Sequence, residues 1–272
     1  MPLWTLFGLY QGKATTDWPA SPGKDGQDFE FGMPRYDRAQ CDEGCKACAD
    51  VCPTHAIQVM ADLDRGGKDT VEIDYGRCIT CQLCVEVCPT DALQHSYDWG
   101  FGVRRRTDLM TSKALAPGVE EKSATPPDTR GFKRSLHIRH VDAGSCNGCE
   151  SELQALNNPF YNLHRLGVFF TASPRFADVL LVTGPVTHAM RAPLLAAYEA
   201  MPEPRWVMAI GTCAVAGGTA AGGAFCANGL EGILPVDLYL PGCPPNPAAI
   251  IEAFMLLLAR KQQRVRGGQY AG

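Results

Sequence analysis

The chain has 272 residues, 46% of them hydrophobic and 20% charged, with a formal net charge of −4 and 13 cysteines. Residues 1–130 hold 14 basic and 20 acidic side chains and residues 131–272 hold 11 and 9, so no basic stripe is offered to nucleic acid. So many thiols in a chain of this length, opening on MPLWTLFGLYQGK without a basic n-region or twin arginine, exclude a small secreted disulfide scaffold and predict a cytoplasmic protein.

The first cysteines fall in two runs, CDEGCKACADVCP at 41–53 and CITCQLCVEVCP at 78–89. The second reads C-x2-C-x2-C-x3-C-P, and the first has one more residue between its first two cysteines. This internal repeat is the bacterial two-cluster ferredoxin pattern, in which the fourth cysteine of each run serves the other run's cluster. Three closely spaced thiolates wrap three corners of a cubane, and the proline turns the chain so that the fourth crosses over. The spacing predicts one [4Fe–4S] cluster on Cys41, Cys45, Cys48 and Cys88 and a second on Cys78, Cys81, Cys84 and Cys52. Pairs of C-x2-C also bind zinc; eight cysteines in two runs that each end in Cys-Pro favour clusters. His55, just beyond Pro53, is expected on the first turn of a short helix rather than as a ligand.

Residues 1–100 are therefore expected to form a small α+β domain of the 2[4Fe–4S] ferredoxin type. A linker is expected at 101–133, where SKALAPGVEEKSATPPDTR (112–130) lacks apolar periodicity. The basic run Arg104, Arg105 and Arg106 ahead of it reads as solvated. From 134 to 272 the pattern changes: SLHIRHVD, FADVLLVTG, RWVMAIGT and VDLYLPG read as strands, with helical stretches HAMRAPLLAAYEAM and NPAAIIEAFMLLLAR between or after them. Such alternation predicts a parallel sheet covered by helices, with sites in the loops beyond the carboxyl ends of the strands. AAIIEAFMLLLA (248–259) is interrupted by a glutamate and is too short to span a bilayer.

Cys146 and Cys149 follow the first of these strands, Cys213 the third and Cys243 the fourth. On one edge of a parallel sheet these four thiols converge although nearly a hundred residues separate them, and such a set can hold iron–sulfur or zinc. Glycines at 144, 148, 211 and 242 let backbone approach the site and donate N–H groups to sulfur.

SCNGCE, TGPVTHAMRAPLLAAYEAMPEP, GTCA followed by a glycine pair, and PGCPPNP together resemble the small subunit of membrane-bound, energy-converting [NiFe] hydrogenases of the formate hydrogenlyase type. The resemblance covers residues 134–260. The related complex I subunit carries two adjacent cysteines at the first ligand site, whereas this chain has C-N-G-C, which favours the hydrogenase branch. The resemblance implies a flavodoxin-like α/β domain in which Cys146, Cys149, Cys213 and Cys243 hold a proximal [4Fe–4S] cluster facing the [NiFe] centre of a separate large subunit. Residues 1–95 resemble the two-cluster ferredoxin subunit of the same complexes, so the chain resembles a fusion of two subunits, and a tether raises the effective concentration of one module at the other.

The expectation is an electron-transfer subunit with three [4Fe–4S] clusters and no catalytic residue of its own. Its expected partners are a hydrogenase-like large subunit, a formate dehydrogenase or ferredoxin-like donor, and membrane subunits that would hold it peripherally at the inner face of the cell membrane. A nickel-free, complex I-like module and a zinc-stabilised scaffold are the rival readings. Cys226 is expected to be a packed small hydrophobe. Glu150 is either a proton relay or an acidic first-turn residue suited to the helix dipole. GGTAAGGAF (217–225) lacks the lysine and spacing of a phosphate loop.

Overall fold

The computed structural model describes residues 3–12, 18–19, 25–27, 29–60, 70–111 and 135–261, together with 263, 265–266 and 269–270. At the start, Leu3–Gln11 form helix α1, which is mostly apolar and has no buried side chain.

The cysteine-rich module has little regular structure. Strands β1 (Arg35–Tyr36) and β4 (Leu93–Gln94) pair antiparallel, as do β2 (Ile57–Met60) and β3 (Thr70–Ile73). Two short helices, α2 (Ala47–Val51) and α3 (Leu83–Glu86), each lie within one cysteine run. Ile57, Val71, Ile73, Tyr75 and Leu93 form its small core. Elements this short cannot exclude water unaided, and a domain this small needs a metal or another staple for independent stability. His55 is exposed, with φ 50° in the turn between Cys52 and β2. The short helix expected there does not form, because the chain turns at once into β2.

Of the stretch expected as a linker, residues 101–111 are folded. Phe101, Val103 and Leu109 are buried, and Val103 exchanges backbone hydrogen bonds of 2.9 and 2.8 Å with Tyr239. The arginines are not simply solvated. The Arg106 guanidinium forms a bidentate pair with Asp74 at 2.7 Å on both arms, Arg105 meets Asp108 at 3.0 Å, and Arg104 donates to the Leu256 carbonyl. This segment stitches the two modules together, because buried apolar residues flank three arginines that each find an acceptor. Residues 112–133 lie outside the described residues.

The second module is built on five parallel strands: β5 (Leu136–Asp142), β6 (Val168–Phe170), β7 (Val179–Thr183), β8 (Trp206–Ile210) and β9 (Leu238–Leu240), in the spatial order β6-β5-β7-β8-β9. That is the flavodoxin-like order of a doubly wound sheet. Strands β7 and β8 are buried on both faces, as continuous apolar runs predict. The alternation divides their side chains between two cores. Val179, Leu181, Met208 and Ile210 pack with helix α7 (Pro247–Leu257), while Leu180, Val182, Val207 and Ala209 share a core with Phe101, Val103 and Tyr75. Leu194, Ala214 and Val215 belong to the same core, so the cysteine-rich module shares this face of the sheet with the helices that follow β7 and β8. Helices α4 (Gly148–Ala155), α5 (His188–Glu199) and α6 (Thr212–Ala216) follow β5, β7 and β8. Helix α7 starts where Asn246 caps it, its side chain accepting from Ala249 N at 2.7 Å, with Pro247 in the first turn. Among the described residues, no helix is long and apolar enough to cross a membrane.

Candidate metal centres

The eight cysteines of the first module line two separate hollows. One has Cys52, Cys78, Cys81 and Cys84 in its wall; the other has Cys41, Cys45, Cys48 and Cys88. The fourth cysteine of each run has crossed to the other run's hollow. The crossing follows from the paired turns after Cys52-Pro53 and Cys88-Pro89, each with a threonine hydroxyl near the sulfur, at 3.7 Å for Thr54 and 3.9 Å for Thr90. Backbone amides are aimed at three sulfurs: Ala56 N donates to Cys52 Sγ at 3.2 Å, Thr80 N to Cys78 Sγ at 3.4 Å and Leu93 N to Cys88 Sγ at 3.5 Å. Donors of this kind stabilise negative sulfur and tune a cluster's potential.

Burial pushes the Cys78 and Cys84 thiols up to about 12 and Cys48 up to about 11. Cys88 behaves oppositely: burial raises it, but amide donors from Leu93 and Thr90 and the Thr90 hydroxyl bring it below the ordinary thiol range. Buried thiols of the first kind ionise only when a metal supplies positive charge, so loading such a site releases protons. Among the described residues, no three His, Cys, Asp or Glu side chains gather closely enough to hold a single metal ion. Four thiols around a hollow fit the corners of a cluster better than the four bonds of one zinc.

The third set lies where the parallel sheet predicts. Strands β5, β8 and β9 end at Asp142, Ile210 and Leu240, and just beyond them, on the same edge, lie Cys146 in a loop with Cys149 in the first turn of α4, Cys213 in the first turn of α6, and Cys243 in a loop. The four thiols are near enough to repel one another's charge: Cys213, Cys243 and Cys146 all act on Cys149, and Cys146 acts on Cys243. Burial is the larger influence, raising Cys149 well above its ordinary value and Cys213 to about 11. Cys149 is buried, whereas Cys146 and Cys243 are exposed, so the set opens to the surface on one side. Two glycines are required by this packing. A Cβ on Gly211, at φ +88°, would stand 2.6 Å from Cys149 Sγ, and one on Gly218, at φ +57°, 2.7 Å from Cys213 Sγ. That close approach accounts for Gly218 in GGTAAGGAF, where no phosphate need be invoked.

The loop before Cys146 is shaped by Asp142, whose Oδ1 accepts from Gly144 N at 2.8 Å and Ser145 N at 2.7 Å. Those bonds overcome the effect of burial and hold the Asp142 carboxyl below its usual range. Glu150 lies in the first turn of α4, yet its carboxylate is buried; it accepts from Ser145 Oγ at 2.7 Å and from the Thr183 hydroxyl, and His140 Nε2 is 3.5 Å away. Glu150 therefore ties the ligand loop to β5 and β7. Burial holds His140 below the usual imidazole range, against the opposing pull of Glu150. Cys226 is partly buried, and its thiol donates to the Ala220 carbonyl at 3.1 Å.

A family model described as NADH ubiquinone oxidoreductase, 20 Kd subunit, matches residues 146–257, and one described as a 4Fe-4S dicluster domain matches residues 40–92. Formate hydrogenlyase subunit 7 of Escherichia coli (strain K12) is 42% identical over 135 residues, which are 49% of this chain and 52% of that protein. The match thus spans about half the length of the Escherichia coli relative. The probable membrane-bound hydrogenase subunit mbhJ of Pyrococcus furiosus is 42% identical over 134 residues, 49% of this chain and 80% of that one. The chain belongs to the family of the complex I 20 Kd subunit and the [NiFe] hydrogenase small subunits. Among solved structures, a chain of the membrane-bound sulfane sulfur reductase, an archaeal respiratory membrane complex, matches with a TM-score of 0.44 and 32% identity, over 50% of this chain and 75% of that one.

As a member of this family preceded by a ferredoxin domain, the chain is an iron–sulfur electron-transfer subunit of an oxidoreductase complex. Reasoning from sequence missed the partners of Glu150. Thr183 and His140 lie on strands that read only as apolar or alternating, and a lone polar residue at a strand's carboxyl end was the available signal.

Proposed function

We propose that the chain is a wire of three [4Fe–4S] clusters, leading from a donor such as a formate dehydrogenase or a ferredoxin-like protein to the [NiFe] site of a partner large subunit, where protons are reduced or hydrogen is oxidised. The observation that carries this reading is the sorting of twelve cysteines into three sets of four, two around hollows of the first module and one at the sheet's carboxyl edge. Each cluster, when bound, supplies a one-electron redox centre. Cys41, Cys45, Cys48 and Cys88 would hold the first, Cys78, Cys81, Cys84 and Cys52 the second, and Cys146, Cys149, Cys213 and Cys243 the third. The chain's own work is to fix these sulfurs, aim N–H groups at them and exclude water from Cys48, Cys84 and Cys149. The exposed side of the third set, at Cys146 and Cys243, suits a large subunit docking there. Attachment to a membrane would come through further subunits, as the names of the hydrogenase relatives suggest.

A second reading keeps the wire and changes its terminus. The matching family model is described for a ubiquinone oxidoreductase subunit, so the partner could lack nickel and pass electrons to quinone. Purifying the complex without oxygen and measuring metals separates the two. About twelve irons per chain, four for each site of four cysteines, with stoichiometric nickel, is the expected result. The same iron without nickel moves the terminus to the second reading, and zinc in place of iron sinks the wire.

A further inference from the structure

The first residue of α6 links the two modules through hydrogen bonds to ligand-bearing backbone on both sides. Thr212 is 1% exposed, and its hydroxyl donates to the backbone carbonyl of Cys78 at 2.8 Å. The same oxygen accepts from Gly242 N at 3.1 Å, and Thr212 N donates to Gly242 O at 2.9 Å. Thr212 directly precedes Cys213, and Gly242 directly precedes Cys243. One side chain therefore connects a loop of the second set of cysteines to two loops of the third. A buried hydroxyl with both donor and acceptor engaged fixes its neighbours, and its removal leaves the Cys78 carbonyl and the Gly242 amide each short of one partner.

We infer that Thr212 is the coupling residue between the ferredoxin module and the third site: its hydroxyl holds the Cys78 backbone in register against Cys213 and Cys243 and supplies the bonded route for electrons between them. This rests on the three-cluster reading above. With clusters bound, one electron would leave the Cys52/Cys78/Cys81/Cys84 site for each one arriving at the Cys146/Cys149/Cys213/Cys243 site, while the Thr212 hydroxyl keeps its proton and no other bond changes. Thr212 is a positioning residue, since it touches ligand-bearing backbone and no reacting atom.

The test uses the full chain, purified without oxygen, in Thr212→Val, which keeps the shape and removes the hydroxyl, and Thr212→Ser, which keeps the hydroxyl. Iron content, the midpoint potential of each cluster signal and the rate of electron redistribution after rapid mixing with substoichiometric dithionite are read by freeze-quench electron paramagnetic resonance. The expected result is loss of the fast redistribution phase in Thr212→Val with iron and potentials unchanged, and its retention in Thr212→Ser. A fast phase in Thr212→Val as in the parent overturns the inference. If Thr212→Val does not load iron, Thr212→Ala is measured the same way. If neither loads, Thr212→Ser decides: a lost fast phase there overturns the inference, and a parental one upholds the hydroxyl. A parent chain that itself lacks iron fails the three-cluster reading instead, and is recognised from the iron assay before any variant is compared.

Discussion

The two cysteine-rich regions of this molecule gather their thiols by opposite routes. In the first module each site takes three of its four thiols from one short run of sequence, and the surrounding elements are strands of two to four residues and helices of four or five. In the second, four thiols arrive from the segments that follow three strands, which only a five-stranded parallel sheet brings together. A locally coded site needs little fold around it and lends stability to its module. A topologically coded site needs the fold first and takes its precision from it. Glycines show the difference at close range: Gly44, in the loop between Cys41 and Cys45, has φ +75° but open space where a Cβ would go, so an alanine there meets backbone strain alone, whereas at Gly211, φ +88°, it would also meet Cys149 Sγ at 2.6 Å.

The largest test of that contrast is removal of the metal. Chelating the iron should release amide protection across residues 35–94 while β7 and β8 remain protected, as read by hydrogen exchange; equal loss in both modules would erase the distinction. A narrower cut compares Gly211→Ala with Gly44→Ala. The first is expected to lose about four irons per chain, one cluster's worth, and the second none; the iron assay and visible absorption report both. Smaller still is Glu150→Ala, which leaves the Ser145 and Thr183 hydroxyls without their buried acceptor. It should lower chain stability by about 1–3 kcal/mol with the first module's clusters retained, measured by denaturant unfolding without oxygen.

The mildest effect is one of pH. Burial holds His140 below the usual imidazole range, so the unfolded chain binds its proton at a higher pH than the folded one. Stability is therefore fully present above the unfolded value of about 6.5 and falls as pH drops from there towards the folded value. His140→Gln should flatten that part of the stability profile of the sheet module. An unchanged slope would show that other groups set it.

Cysteine spacing made the crossed placement of Cys52 and Cys88 in the first module legible, since both stand in Cys-Pro contexts that require a turn. The sheet and the shared edge of Cys146, Cys149, Cys213 and Cys243 were legible as well, because apolar runs ending in Gly-rich turns define parallel strands. Strand β6, three residues of Val-Phe-Phe, was too short to show a period. The packing of residues 101–111 was hidden for another reason. Arg104, Arg105 and Arg106 look like a solvated run, and only the tertiary positions of Leu256, Asp108 and Asp74 give each one an acceptor. His55 failed as a helix residue because the turn after Cys-Pro is completed by a left-handed backbone at that position.

Strand β9 ends the sheet, and a terminal strand offers its free N–H and C=O groups to any other strand that meets it. Here Val103 occupies that rim, pairing with Tyr239 in both directions. Anyone dividing the chain for separate expression would meet the consequence. A fragment beginning at residue 134 leaves the rim bare and invites copy-to-copy strand addition and precipitation. One that begins upstream of Phe101 carries its own cover.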